Sequence, residues 1–211
     1  MEVPFVDIHS HNKCRSSNIT VTSAFLGDNI AEIQKPFSIG IHPWHSDIST
    51  SNLELKFSPY LDEIVALGEI GLDRAIKIPI SKQTEIFLAQ LDIAKKHNLP
   101  VMIHCVKAYS DMLAIIPKYK KITYIFHGFY ASQQILRCLL PYNTFFSMGI
   151  RELQRSKGTT LIRSIPANRL FLETDESDTE IEDVYTLVSK AISIDIKVLR
   201  EQLYNNYTNL F

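Results

Sequence analysis

Eight short runs of apolar, β-branched or aromatic residues recur along the chain, at 5–9, 19–25, 37–41, 64–69, 100–104, 122–127, 144–148 and 170–174. Each is bounded by polar residues or by Gly, Pro or Asn. From Val101 onward they alternate with stretches of helical period, the pattern of β–α units repeated around a parallel sheet. Eight such strands predict an α/β fold, a compact TIM-type (β/α)8 barrel. The first unit is irregular, because only the segment from Ser10 to Asn18 separates the first two runs, shorter than the usual parallel crossover of about a dozen residues. Either the second strand is misread or the barrel is distorted and lacks the helix of its first unit. With 211 residues and no linker, low-complexity tract or repeat, the chain reads as a single domain over 1–211.

The clearest helix starts near Ser81, read as its N-cap, with Phe87, Leu91 and Ala94 on one face and Lys95, Lys96 and His97 suited to its C-terminal dipole. After the last strand, Thr179-Glu180-Ile181-Glu182 reads as a capping box, and Ile196, Leu199, Leu203 and Tyr207 form the stripe of a closing helix. These helices are expected to seal the end of the barrel. Lys and Arg total 22 against 23 for Asp and Glu, so no global field holds the protein on nucleic acid or anionic lipid, and any polyanion binding must be local. The cysteines Cys14, Cys105 and Cys138 are odd in number and form no C-x-x-C, which points to free thiols in a reducing compartment and hence a cytoplasmic location. No targeting stretch is visible and no run approaches the ~18 apolar residues of a membrane span, so neither a membrane nor an obligate protein partner is implied.

The polar residues that end these strands carry the chemistry. Asp7-Ile8-His9-Ser10-His11 closes the first run, where alternation sends His9 and His11 to one side. Glu69 ends the fourth run, His104 the fifth and His127 the sixth, and Asp175 follows the eighth. In a parallel barrel those ends open on one face, where barrel enzymes keep their active sites. Four imidazoles and two carboxylates are too many for one tetrahedral ion and suit two divalent cations sharing a carboxylate. Such a centre acidifies bound water, clamps the attacking and leaving oxygens, and leaves Asp175 to orient or deprotonate the nucleophile, which is hydrolytic chemistry. No G-x-S-x-G, P-loop or G-x-G-x-x-G motif offers a rival. Cys105, next to His104 on a strand, should point away from the site and pack under a helix.

These residues also resemble a family, the TatD-type metal-dependent hydrolases, related to deoxyribonucleases within the amidohydrolase-like barrels. Asp7-Ile8-His9-Ser10-His11 looks like its opening metal motif, Gly40-Ile41-His42-Pro43-Trp44-His45 like its G-x-H-P loop, and Gly68-Glu69-Ile70-Gly71-Leu72-Asp73 like its third signature. Leu99 to Cys105, Phe126-His127-Gly128-Phe129 and Leu172-Glu173-Thr174-Asp175 complete the order. The resemblance implies a divalent-metal nuclease or phosphodiesterase, with His9, His11, Glu69, His104, His127 and Asp175 holding two ions (Zn, Mn or Mg). Glu69 would be the bridge, Glu69 and Asp175 would serve catalysis, and the substrate would be DNA or another phosphoester. It implies too that His42 faces the substrate phosphate, although read by itself His42 is equally a loop histidine beside Pro43 and Trp44. Trp44 and His45 read as packing or surface residues.

The chain departs from the family pattern at Val106-Lys107, where Lys107 becomes the candidate substrate contact, at Gly128-Phe129-Tyr130-Ala131 and at Glu176-Ser177. It is also shorter than typical members, which implies a more open cleft. Lys13, Arg15, Arg74, Lys77, Lys107 and Arg151 follow strands and belong to the active rim, whereas Lys118, Lys120 and Lys121 precede the sixth and belong to the opposite one. Tyr109, Phe129 and Tyr130 either stack on bases or pack in the core, with packing favoured. Two other readings are carried: an amidohydrolase or phosphoesterase of a small metabolite, and a non-catalytic metal-binding protein. A lysine at the position of Glu69 would have favoured the amidohydrolase.

Overall fold

The computed structural model describes residues 3–11 and 18–211. Eight strands, β1 (Val6–Ser10), β2 (Ile19–Phe25), β3 (Phe37–Gly40), β4 (Ala66–Asp73), β5 (Val101–Val106), β6 (Tyr124–Phe126), β7 (Thr144–Met148) and β8 (Leu170–Leu172), lie in sequence order in one parallel sheet. The ring closes beyond β8, where Asp175 N–H donates to the His9 carbonyl at 3.0 Å and His11 N–H to the Asp175 carbonyl at 3.0 Å. This is the TIM-type barrel that the eight apolar runs predict.

Among the described residues eight α-helices surround it: α1 (Leu53–Phe57), α2 (Ile80–His97), α3 (Tyr109–Ile115), α4 (Gln133–Leu139), α5 (Ile150–Leu153), α6 (Gly158–Ile162), α7 (Ile181–Ile192) and α8 (Ile196–Leu210). β2 is a true strand, paired in parallel with both β1 and β3. Among the described residues, the chain between β2 and β3 forms only a 3-10 turn at Ile30–Glu32, so the barrel's helical coat is thin at its start. Residues 12–17, with Lys13, Cys14 and Arg15, lie outside the described residues.

Two cap expectations fail. α2 begins at Ile80 with Pro79 at its N-cap, so Ser81 lies inside the first turn. Proline sets the entry angle there without a side-chain cap. α7 has Glu180 at its N-cap without a side-chain bond that caps the helix, so Thr179 to Glu182 makes no capping box; Thr179 N–H instead turns back to Ser177 Oγ at 3.1 Å. The closing helix behaves as expected. Val6, Ile8, Val21, Met102, Ile125 and Phe171 form one buried cluster, and strands so far apart around a ring meet only across its interior. Tyr204, Tyr207 and Leu210 of α8 pack onto that cluster and seal the barrel end away from the site. α2 instead lies on the outside, burying Ile86, Phe87, Leu91, Ile93 and Ala94 against the coat and β4.

Two buried glutamines of α2 tie the strand ends that carry the site. Gln90 accepts from Ile41 N–H at 2.8 Å and donates to the Ile41 carbonyl at 3.1 Å. Gln83 accepts from Asp73 N–H at 2.7 Å and donates to the carbonyls of Asp73 at 2.9 Å and Ile78 at 2.8 Å. A primary amide matches a backbone donor and acceptor together, so each satisfies groups that burial would otherwise penalise. Glycine is required at Gly71, where φ is +148° and a Cβ would collide with the His104 carbonyl oxygen, so β4 can approach β5 closely.

Candidate metal centre

At the open end of the barrel five of the six predicted ligands gather around the sixth, the carboxylate of Glu69. Its Oε2 lies 3.4 Å from His9 Nε2 and 3.5 Å from His11 Nε2. Its Oε1 lies 2.6 Å from His104 Nδ1, 2.7 Å from His127 Nε2 and 3.2 Å from His42 Nε2. Asp175 Oδ1 faces the first group, 3.6 Å from His9 Nε2 and 3.8 Å from His11 Nε2. Each oxygen of one buried carboxylate thus serves a separate set of donors.

Asp175 reaches this position from a left-handed backbone, φ +55°, held by the two hydrogen bonds that close the barrel. Asp tolerates that conformation better than most residues, and bonds on both sides over-determine it. The neighbouring Thr174 is pinned by Asp7, which accepts from Thr174 N–H at 3.0 Å and from its hydroxyl at 2.6 Å. Burial pushes the Asp7 carboxyl up to about 7.

The hydrogen bonds distinguish the histidines. His104 turns Nδ1 to Glu69 and Nε2 to Asp73 Oδ2 at 3.4 Å, so it hydrogen-bonds Glu69 through Nδ1 here and, with its proton moved to Nε2 toward Asp73, would offer the Nδ1 lone pair to a cation. His42 is the reverse. Its Nδ1 accepts from Trp44 N–H at 3.2 Å, so the neutral ring carries its proton on Nε2 and meets the centre as a donor. Burial lowers the His42 pKa and keeps it neutral. Burial likewise holds His9 down, to about 4. Burial opposes charge on His127 as well, but the Glu69 carboxylate outweighs it and lifts His127 to about 10. Glu69 shows the complement, pulled well below the carboxylate range against its burial by His127 and His104.

The donor set fits divalent cations. His9 Nε2 is buried without a hydrogen-bond partner, an arrangement that costs free energy unless something else takes the lone pair. Donors on one ion at ~2.0–2.2 Å stand roughly 3–3.6 Å apart; three of the separations among His9, His11, Glu69 and Asp175 fall in that range at 3.4, 3.5 and 3.6 Å, and His11 to Asp175 is slightly wider at 3.8 Å. Around Oε1 the separations are shorter because His104 and His127 hydrogen-bond the carboxylate directly.

A cavity of about 260 Å³ opens above these residues, lined by Phe25 and Trp44 and reached by Arg151 and Glu176. Arg151 lies 3.5 Å from both Asp175 Oδ2 and Glu176 Oε2. Lys107 is exposed and is not among the lining residues. Its φ of +53° ends β5 in a turn. Arg74 is taken up by Asp111 through two bonds of 2.7 Å, and Lys77 is exposed away from the lining. Lys118, Lys120 and Lys121 line a separate hollow with Lys95 and Tyr119. Phe129 is fully buried and packs with Tyr109 and Phe146, while Tyr130 lies under Arg155, so these aromatics pack as favoured. Cys105 is partly buried against the core, which pushes its thiol up to about 12.

The sequence pattern does not single out Asp73, Phe25 or Glu173. The two acids both lie inside recognised motifs, Asp73 as the last residue of β4 and Glu173 directly after β8. Glu173 is buried, accepts from Gly128 N–H at 2.6 Å, and lies 3.9 Å from His127 Nδ1; burial pushes it up to about 8.

Residues 28–211 match the family model of TatD related DNase. The chain belongs to the TatD-related DNase family. Among curated TatD relatives, the metal-dependent hydrolase YabD of Bacillus subtilis is 32% identical over 145 residues, and the 3′-5′ ssDNA/RNA exonuclease TatD of Pantoea vagans is 32% identical over 176. These alignments cover 65% and 74% of this chain but 57% and 66% of those proteins, so the chain spans less than two thirds of the relatives' length. The crystal structure of the TatD homologue YjjV from Escherichia coli has the same fold, with a TM-score of 0.83 at 22% identity, covering 98% of this chain and 97% of that one.

Proposed function

We propose that this TatD-family chain binds two divalent cations at the shared Glu69 carboxylate and hydrolyses phosphodiester bonds of DNA or RNA. The observation that carries the reading is the division of donors between the two oxygens of Glu69. His9, His11 and Asp175 gather with Oε2, and His104 and His127 with Oε1. With four imidazoles in the set, Zn and Mn suit the site better than Mg, which prefers oxygen and water. Bound there, divalent cations supply Lewis acidity and a water nucleophile acidified toward neutral pKa.

The chain's own groups do the rest. Asp175, with Oδ1 toward the first donor set, orients the attacking water and accepts its proton. His42 Nε2–H donates to a phosphate oxygen at the position where it now faces Glu69 Oε1. Arg151 reaches the cavity with an exposed guanidinium and shifts from Asp175 and Glu176 to the phosphate. Lys107, outside the lining, meets a phosphate beyond the scissile one. Asp73 holds the His104 ring in the tautomer that leaves Nδ1 free.

The 3′-5′ ssDNA/RNA exonuclease activity of the Pantoea relative supports a single-stranded nucleic acid substrate, and a glutamate rather than a lysine at position 69 supports phosphoester over amide chemistry. No helix among the described residues is long and apolar enough to cross a membrane. The free thiols of Cys105 and Cys138 support a cytoplasmic setting. The test is release of nucleotides from end-labelled single-stranded DNA and RNA by protein loaded with Mn, Zn or Mg. Release that needs the metal supports the reading. A metal-loaded protein that cleaves neither polymer but turns over a small phosphate ester or amide would replace it.

A further inference from the structure

Among the described residues, three large aromatic side chains stand exposed: Phe25 at 36%, Trp44 at 56% and Phe211 at 38%. Two of them, Phe25 and Trp44, wall the cavity above the metal centre. Exposed apolar rings are unremarkable when scattered, but a pair beside a set of buried acids and imidazoles needs a partner surface. Both rings stand edge-on to His42, Phe25 at 6.4 Å and 87°, Trp44 at 4.8 Å and 86°. Phe25 also lies nearly parallel to the His11 ring, at 5.9 Å and 21°.

Neither residue is loosely held. Phe25 N–H donates to Asp28 Oδ2 at 2.8 Å, which fixes the end of β2. Trp44 sits in a 3-10 turn over Pro43–His45 and donates its indole Nε1–H to Asp73 Oδ2 at 2.9 Å. The polar edge of the indole is therefore satisfied inward while more than half of the residue stays open to solvent. What remains on offer is π-surface, preorganised next to a phosphate position.

We propose that Phe25 and Trp44 form a stacking platform for an unpaired nucleobase adjoining the scissile phosphodiester, and so set a preference for single strands. Every base has a π-face, so the platform tolerates sequence, whereas bases held inside a duplex are not available to it. Arg151 reaches the phosphate position, so base and phosphate are gripped by different residues. The inference rests on the phosphodiesterase reading for the identity of the substrate, yet its test does not depend on turnover.

Trp44 is the only tryptophan of the chain, so the intrinsic emission of the whole protein reports this ring. The full chain, loaded with Mn, is mixed in a stopped-flow instrument with oligothymidylate, with an abasic oligonucleotide of equal length, or with duplex. Oligothymidylate is expected to quench the emission, while the abasic strand binds in competition without quenching and the duplex quenches weakly. Phe25→Ala should weaken oligothymidylate binding about tenfold and leave abasic binding unchanged, and Phe25→Tyr should restore it. Equal quenching by the abasic strand, or equal weakening of both ligands by Phe25→Ala, overturns the platform. Base-dependent quenching without nucleotide release keeps the platform and removes the phosphodiesterase reading; release without such quenching does the reverse.

Discussion

Replacing Glu69 by glutamine keeps the shape of the side chain and removes the one charge common to both halves of the centre. In the metal-free protein that carboxylate is the counter-charge that lifts His127 to about 10, and four further imidazole nitrogens lie between 2.6 and 3.5 Å from its oxygens. Removing one partner of a buried ion pair costs about 3–5 kcal/mol. Here the low end of that range is expected, because the carboxylate's own burial cost goes with it and His127 escapes by releasing its proton. Burial then opposes the charge on His127 with only Glu173 and Asp175 left to favour it, and the ring should titrate well below 10. Both proposed cation positions lose a shared anionic ligand at once, and only the one beside Asp175 keeps another carboxylate. Affinity for each should therefore fall by more than the ~10–100-fold typical of losing a group that only supports a ligand. Three readouts follow from one variant: the imidazole titration by NMR, thermal unfolding in chelator, and metal content after dialysis with residual turnover. A Glu69→Gln protein that keeps two equivalents of metal and wild-type turnover, or in which His127 still titrates near 10, would refute the bridging argument.

Above pH 7, His127 and Glu173 are protonated more tightly in the fold than in the unfolded chain, at about 10 against 6.5 and about 8 against 4.5. For raised groups stability is full below the unfolded value and lost as pH climbs to the folded one, so in chelator it should fall by roughly 1.4 kcal/mol per pH unit per group, both acting to pH 8 and His127 alone to pH 10. Glu173→Gln should flatten only the lower step, as read from denaturant melts across pH; an unchanged slope would contradict the assignment. Cation binding must displace the same His127 proton, so affinity by calorimetry should rise up to tenfold per pH unit in this window. Asp73→Asn frees the His104 ring and should cost ~10–100-fold in turnover with metal loss from one position, whereas unaltered metal content and turnover would leave Asp73 without that task. Gln83→Ala strands the buried N–H and carbonyl of Asp73 and should destabilise the protein by about 2–4 kcal/mol in chemical denaturation.

The strands and the candidate metal ligands were legible for the same reason. A parallel strand buried on both faces writes a continuous apolar run, and whatever polar residue ends it in a barrel faces the common rim. His9, Glu69, His104, His127 and Asp175 needed no more than that. The helix starts were less legible, because Pro79 and Glu180 begin α2 and α7 without the side-chain bond that a cap pattern presumes. Gln83 and Gln90 were invisible, since glutamine in an amphipathic helix looks like surface and only the fold brings Asp73 and Ile41 beneath it. Phe25 looked like one more apolar strand residue, and nothing local says that β2 carries it up to the rim. Lys107 and Arg151 follow strands in the same way, yet only Arg151 lines the cavity; the left-handed turn at Lys107 is a conformational detail that spacing does not encode.

The central claim is that the donors around Glu69 bind two divalent cations that hydrolysis requires. The most direct measurement titrates Mn or Zn into chelator-stripped protein while nucleotide release from end-labelled single-stranded DNA is followed, with Asp175→Asn in parallel. Release is predicted to be nil in the stripped protein, to saturate at two equivalents, and to be lost in the variant. Full release in chelator, saturation at one equivalent, or undiminished release by Asp175→Asn would contradict it.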